Sequence, residues 1–295
     1  MRGVNRPRLS HLAMFVVPAL VVYTVFAVYP LLDSIRLSFF TSEGGELRYV
    51  GWDNYAHVLT DEYFAPRFWN ALLNNFIFFG IHILVQNPIG LLLAALLTSG
   101  AVRRTRGLYR TLIFIPTTLS VVIVGFIWEL ILSPLWGLVD KPLLGLPSTA
   151  LPTVSLMSVW QYVGIPMTFL YAVLIAIPND VLEAARIDGA SAWQTFWRIK
   201  FPLVLPMFGL ITVITYIANF NAFDLIYSVQ GAIAGPDFST DIFGTLFYRT
   251  FFGEGSTPGD STLGAAVATL TFCVILLGAG AYYFLLHRRT TTYEL

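Results

Sequence analysis

The sequence predicts an all-α membrane protein of six transmembrane helices, and three observations lead to that class. The chain has 295 residues, 56% hydrophobic and only 12% charged, with a mean hydropathy of +0.71. A soluble domain carries about 25% charged residues, and no soluble core of this length hides so much apolar side chain. Apolar runs recur near 12–34, 71–98, 108–132, 153–177, 204–229 and 262–286, each near the roughly 20 residues that cross a hydrocarbon layer. The connections between the runs alternate between basic and acidic.

The first run follows Arg2, Arg6 and Arg8, an arrangement that imitates a signal peptide. It extends over Leu12–Leu32 with no small-x-small cleavage pattern after it, so it is expected as a retained helix. Pro18, Pro88, Gly90, Pro116 and Pro166 fall inside the runs. A bundle tolerates them because neighbouring helices re-satisfy the freed backbone groups. The fourth run is the least regular, being interrupted by Trp160, Gln161, Gly164 and Pro166.

Charge orients the chain. The N-terminal segment, the 99–110 connection (Arg103, Arg104, Arg106, Arg110), the 179–206 connection (Arg186, Arg198, Lys200) and the tail (Arg288, Arg289) carry 12 of the 17 basic residues. The opposite connections collect Glu43, Glu46, Asp61, Glu62, Asp140, Asp237, Asp241, Glu254 and Asp260. The positive-inside rule places both termini and the basic loops in the cytoplasm. On the other side lie residues 35–68, with Trp52, Tyr55, Phe64 and Trp69 nearby; 133–152; and 230–261, whose stretch Ile242–Phe252 is expected as a short interfacial helix. The expected organisation is a tail, first helix and external loop over 1–68, then a five-helix core over 69–290.

Several chemistries are excluded. A formal net charge of zero offers no bulk field for nucleic acid. Cys273 has no intrachain partner and lies in an apolar run, which predicts buried filler. His11, His57, His82 and His287 are not grouped at metal-ligand spacing. No internal duplication is visible, and six helices in one chain rarely complete a solute pathway, so a partner subunit is expected.

The richest segment is Pro178–Pro202. Asp180 precedes Glu183, and Ser191 precedes Gln194, by the three-residue step of a capping box. Gly189 sits between, able to end a helix in the left-handed region. Two short helices are expected. Leu182, Ala184, Ala185 and Ile187 form one face of the first, and Trp193, Phe196 and Trp197 on the second are placed to lock it to the bundle. By physics alone the segment is either an amphipathic connector or a docking element for a cytosolic partner.

Glu183-Ala184-Ala185, Gly189 and Ile199-Lys200-Phe201-Pro202 resemble the signature loop of permease subunits of binding-protein-dependent ABC importers, E-A-A, three residues, G, nine residues, I-x-L-P. Only Phe201 departs, and it keeps an apolar side chain. Tyr29-Pro30, Ser38-Phe39, Gly51-Trp52-Asp53-Asn54-Tyr55, Arg110-Thr111 with Pro116, and Phe223-Asp224-Leu225-Ile226-Tyr227 are similar to the carbohydrate-uptake branch, of maltose/glycerol-phosphate type. The resemblance covers about residues 12–287. It implies the type I transmembrane domain of an ABC importer with a coupling helix at 180–189, a bacterial inner-membrane location, and no catalytic residue in this chain. Glu183 would pair with a basic group of the ATPase, Ala184 and Ala185 would permit tight seating, and Asp188 and Gly189 would form the turn. The implied partners are a second homologous permease (a heterodimer), two cytosolic ATPase subunits and an extracellular or periplasmic solute-binding protein. The chain has no G-x-x-x-x-G-K-[ST] loop, so ATP and Mg would be bound by the separate ATPase.

Polar groups at membrane depth are pathway candidates. The second run supplies His82, Gln86 and Asn87, the third Glu129, and the fifth Tyr216, Asn219, Asn221, Asp224 and Tyr227. Asn219, Phe223 and Tyr227 follow a four-residue spacing and are expected on one face, extended by Tyr216. Amides and carboxylates suit sugar hydroxyls, and aromatic rings suit the apolar faces of a pyranose; hydrogen bonding between helices is the other use of such residues. The spans hold no buried Arg or Lys, which favours a neutral sugar over a sugar-phosphate or a polyol such as glycerol-3-phosphate. An ion-coupled secondary transporter more often carries inverted repeats, and an intramembrane enzyme needs a nucleophile or metal constellation; neither is visible. Replacing Glu183 with Ala, or Gly189 with a bulky residue, is expected to leave the protein in the membrane but uncouple ATP hydrolysis from uptake; unchanged transport in reconstituted vesicles refutes this.

Overall fold

Proline placement explains how the long helices form. The computed structural model describes residues 9–136 and 140–285; Arg2, Arg6, Arg8, His287, Arg288 and Arg289 lie outside the described residues. α1 (Leu9–Tyr23) continues into α2 (Tyr29–Leu37), followed by the hairpin β1 (Phe40–Glu43) and β2 (Glu46–Tyr49) and by α3 (Asp53–Thr60). α4 (Ala65–Ile81) continues into α5 (Asn87–Thr98). Then come α6 (Arg106–Phe114), α7 (Val121–Ile131), α8 (Pro147–Tyr162), α9 (Gly164–Ala176) and α10 (Asn179–Ile187). α11 (Ala192–Thr195) continues into α12 (Phe201–Phe220), and α13 (Asp224–Gln230) and α14 (Phe243–Phe252) follow. A short hairpin, β3 (Gly253–Glu254) and β4 (Thr257–Pro258), leads to α15 (Ser261–Leu285).

The joints α1–α2, α4–α5 and α11–α12 share one construction. Each is a π turn (Thr24–Val28, His82–Gln86, Phe196–Lys200), and each precedes a proline by two residues: Pro30, Pro88 and Pro202. Proline lacks an N–H, and its ring collides with the carbonyl four residues back. The widened turn removes the clash, and the residue before each proline donates five back: Tyr29 to Thr24, Asn87 to His82, Phe201 to Phe196. The helices therefore pass through their prolines unbroken. Met14–Leu37, Ala65–Thr98, Ala192–Phe220 and Ser261–Phe284 are each long and apolar enough to cross a membrane. Two bent pairs also qualify when each is taken together, Arg106–Thr118 with Val121–Ile131 at 97° and Pro147–Tyr162 with Gly164–Ala176 at 44°.

Small residues set the closest approaches. A side-chain carbon on Gly90 would press on Pro166, and one on Gly164 would lie 2.9 Å from the Ile113 carbonyl oxygen. α5 and α9 thus meet around Leu91, Ala94, Met167, Leu170 and Leu174. A second core joins Tyr55, Phe68, Tyr216, Phe220, Phe243 and Leu246 between α3, α4, α12, α14 and α15. The first helix stays outside both, exposed from Met14 to Ala27. Its far end is held by the segment that follows: Asn54 donates to the carbonyls of Ser38 (2.9 Å) and Phe40 (2.7 Å), and Phe39 packs edge-on to Trp52. At the start of α4, Asp61 accepts the N–H groups of Tyr63 and Phe64, which hold its carboxyl below the usual carboxylate range.

The structure corrects several expectations. The fifth run does not reach residue 229: α12 ends at Phe220, and α13 begins after a break at Asn221–Phe223. The second short helix of the 179–206 segment is the foot of a 29-residue helix, Ala192–Phe220, because the π turn absorbs Pro202. α4 starts at Ala65, with Pro66 in its first turn. Cys273 is exposed rather than buried; an apolar membrane helix has an outward face, shared here with Phe272, Leu276 and Leu277. α14 is not an interfacial surface helix. Phe243, Thr245 and Leu246 are buried against the bundle.

The loop before α14 is anchored by a buried ion pair. Arg249 donates to Asp241 at 2.6 and 3.2 Å and to the Ala232 carbonyl at 2.8 Å, while Thr245 donates to Asp241 at 2.6 Å. Burial pushes the Asp241 carboxyl above the usual carboxylate range, and the Arg249 hydrogen bonds oppose that shift. Removing one partner of such a pair costs about 3–5 kcal/mol, whereas replacing both with apolar residues is often neutral. Arg249→Met is therefore expected to lower the melting temperature of the purified protein sharply, and adding Asp241→Leu to recover most of the loss.

Candidate functional site

Two regions gather the sequence-predicted residues, one at each end of α12. The lower one is α10. Pro178 precedes it and no side chain caps it, so the Asp180–Glu183 capping box is not formed; Asp180 lies in the first turn, where an acid interacts favourably with the helix dipole. The Ser191–Gln194 box is formed, with Ser191 N–H to Gln194 Oε1 at 2.8 Å and Gln194 N–H to Ser191 Oγ at 3.2 Å. α10 ends as expected at Gly189, with φ +76°. Ala190 donates to the Ala185 carbonyl and Gly189 to that of Arg186, the paired bonds of a Schellman end. A side chain at Gly189 would meet no neighbour, so the backbone conformation alone requires glycine there.

The two alanines of α10 separate. Ala185 is 6% exposed and turned into its own chain, while Glu183, Ala184, Ile187 and Asp188 face outward. Ile187 is 85% exposed. Of the aromatic residues expected to lock the segment, Phe196 packs into the α5–α9–α12 core, whereas Trp193 and Trp197 remain largely outside.

The upper region is a cavity of about 330 Å³ between α4, α8, α9 and the end of α12, bounded by His82, Gln86, Asn219, Phe223 and Asp224. The π turn His82–Gln86 turns both polar side chains to this side. His82 Nδ1 lies 2.7 Å from the Phe78 carbonyl, which only accepts, so Nδ1 carries the proton; Nε2 then accepts from Ser158 at 3.0 Å. Gln86 Oε1 and Asn219 Nδ2 are buried without a hydrogen-bond partner. Buried polar atoms are satisfied with few exceptions, so these two are open hydrogen-bonding positions on residues that line the cavity.

Asn75 does not line the cavity but is buried behind it. Its Nδ2 donates to the Asn219 carbonyl at 3.0 Å, and its Oδ1 accepts the Phe243 N–H at 2.9 Å. Tyr216 does not line the cavity: its hydroxyl donates to the Val274 carbonyl at 2.8 Å, and its ring packs on Phe79 and Phe220. Tyr227 lies beyond the cavity, against Phe223 and Tyr248. Sequence reasoning missed Ser158, Tyr162 and Asn75. The irregularity of the fourth run was the one signal for the first two; Asn75 carries none.

Residues 86–292 match the family model described as binding-protein-dependent transport system inner membrane component. The chain belongs to that family. Its relatives include the probable ABC transporter permease protein YurN of Bacillus subtilis (strain 168), 32% identical over 90% of this chain and 93% of the relative. The lactose transport system permease protein LacF of Rhizobium radiobacter is 31% identical over 81% of this chain and 82% of its own. A chain in the crystal structure of a bacterial ABC transporter involved in the import of the acidic polysaccharide alginate superposes with a TM-score of 0.80 at 20% identity, covering 95% of this chain and 96% of that one, which shows a shared fold. In this binding-protein-dependent permease, Asn75→Leu strands the buried Phe243 N–H at about 1–3 kcal/mol and removes one of the donors to the Asn219 carbonyl. It is expected to lower thermal stability and solute uptake together, measured on the same preparation.

Proposed function

We propose that the chain is one permease half of an ATP-driven importer of neutral sugars, with the cavity at Asn219 as part of its path. The observation that carries this reading is the pair of unpartnered amide atoms of Gln86 and Asn219 beside Phe223, in a cavity lined by no Lys or Arg. Amides bond hydroxyl groups, and an aromatic ring covers the apolar face of a pyranose. Asp224 at the same cavity disfavours a phosphate ester, so a neutral sugar is preferred to glycerol-3-phosphate. Sugar transport by relatives such as LacF supports the class.

In this reading both bent pairs cross the bilayer, giving six spans in a bacterial inner membrane with both termini cytoplasmic; Arg103, Arg104, Arg106 and Arg110 on the same side as Arg186, Arg198 and Lys200 support it. Residues 1–68 form the peripheral part and 69–290 the core. A second, homologous permease completes the path, and a solute-binding protein delivers the sugar. Two cytosolic ATPase subunits bind ATP and Mg. They take up the outward face of α10, with Glu183 toward a basic group, Ala184 and Ile187 against the cleft, and Asp188 and Gly189 at the turn. Ala185 supports that face from behind.

The test is the assembled transporter in proteoliposomes with its binding protein. Sugar-stimulated ATP hydrolysis is expected, and stimulation by glycerol-3-phosphate alone overturns the neutral-sugar reading. Asn219→Ala is expected to slow uptake about two- to tenfold, the worth of one hydrogen bond, without changing basal hydrolysis.

A further inference from the structure

The turn before α6 and the start of that helix gather positive charge with no acid to meet it. Arg103, Arg104, Arg106 and Arg110 follow one another closely, and the chain carries no Asp or Glu between Glu62 and Glu129. Elsewhere Arg36 and Arg249 pair with Asp33 and Asp241. Among the described residues, none of these four guanidinium groups makes an ion pair or donates a hydrogen bond to the chain, and Arg106 Nε is buried without a partner. Each guanidinium carries five N–H donors in a fixed fork, so the cluster holds many donors and no acceptor.

Two of these side chains are seated rather than loose. Arg110 lies over the ring of Tyr171 on α9, 5.8 Å from the ring centre, and Arg106 is half-buried. Arginines that only orient a loop during insertion need no such seating. Apolar surface continues from the charges. α6 turns Ile113 toward the α5–α9–α12 core and leaves Leu108 and Leu112, one helical turn apart, 59% and 52% exposed. Val102, just before the cluster, packs on that core, as do Leu182 of α10 and Phe196. The arginines therefore adjoin the core on which α10 rests.

We propose that Arg103, Arg104, Arg106 and Arg110 hold the headgroup of an anionic phospholipid, with its acyl chain along Leu108 and Leu112. The proposal rests on the reading of residues 99–110 as a cytoplasmic connection at the membrane surface, and it adds a ligand there. Charge complementarity selects the headgroup. The arginine fork matches phosphate oxygens two at a time, and the chain offers these guanidinium groups no carboxylate instead. The leucines select a lipid over a soluble anion or an acidic protein surface. Both of those meet the charge but leave the apolar side chains beside it uncovered, whereas an amphiphile satisfies the two together.

The experiment is lipid retention by the complete transporter purified in detergent, read by native mass spectrometry with phosphatidylglycerol or phosphatidylcholine added. The wild type is expected to retain phosphatidylglycerol in preference. Arg103→Gln with Arg104→Gln is expected to weaken its retention about fivefold for each arginine removed and to leave phosphatidylcholine unchanged. Arg103→Lys with Arg104→Lys keeps the charge and is expected to keep the preference. Equal retention of the two lipids by the wild type overturns the site, as does equal retention of phosphatidylglycerol by the wild type and the Gln variant. Displacement of phosphatidylglycerol by inorganic phosphate makes the ligand a free anion and overturns the lipid. Loss of the ATPase subunits from the Gln variant makes the cluster a protein contact and overturns it as well. The readout does not involve uptake, so a transporter that carries no sugar overturns the import reading and leaves the lipid site standing.

Discussion

The amide of Asn75, on α4, ties the end of α12 to the start of α14. A membrane interior supplies no water to unpaired backbone groups. Where α14 starts at Phe243, an N–H therefore needs a partner from elsewhere in the protein, and Asn75 Oδ1 supplies it, while Asn75 Nδ2 adds a donor to the Asn219 carbonyl, which the Asn221 and Ala222 N–H groups also reach. Asn70 and Asn74, on the same helix, donate to the carbonyls of Phe238 and Asp241. One face of α4 thus fixes the loop 238–243, the start of α14 and the break that opens the cavity. The buried Arg249–Asp241 pair closes the same loop from the other side.

Irregular backbone in this bundle is matched in each case by a specific chemical group. The π turns before Pro30, Pro88 and Pro202 keep three helices continuous and shift side-chain register by part of a turn. His82 and Gln86, at the two ends of one such turn, both line the cavity. Gly164 and Gly244 work in the opposite sense, by omitting atoms where backbones meet.

α10 and the cavity are joined by a single stiff element. The Ser191–Gln194 capping box starts the helix beside α10, and the same helix ends at Asn219 and Phe220. Ala184 and Ile187 face outward on α10, while Ala185 is buried against the bundle.

The sequence by itself determined the apolar surroundings and the approximate positions of the apolar helices. Hydropathy is a local property, and the Glu183-Ala184-Ala185 to Gly189 pattern is contiguous, so the short helix there and its left-handed glycine were readable without coordinates. Only the tertiary structure decided which side of each helix is occupied. Tyr216, Tyr227 and Cys273 were misplaced for one reason: an apolar run in a membrane has no polar face to reveal its orientation, so periodicity does not separate lipid-facing, packed and cavity-facing positions. The break at Asn221–Phe223 and the descent of the loop before α14 were hidden for a related reason. The groups that make them stable, Asn75 and Arg249, lie far in sequence from the backbone atoms they satisfy, and only folding brings them into register.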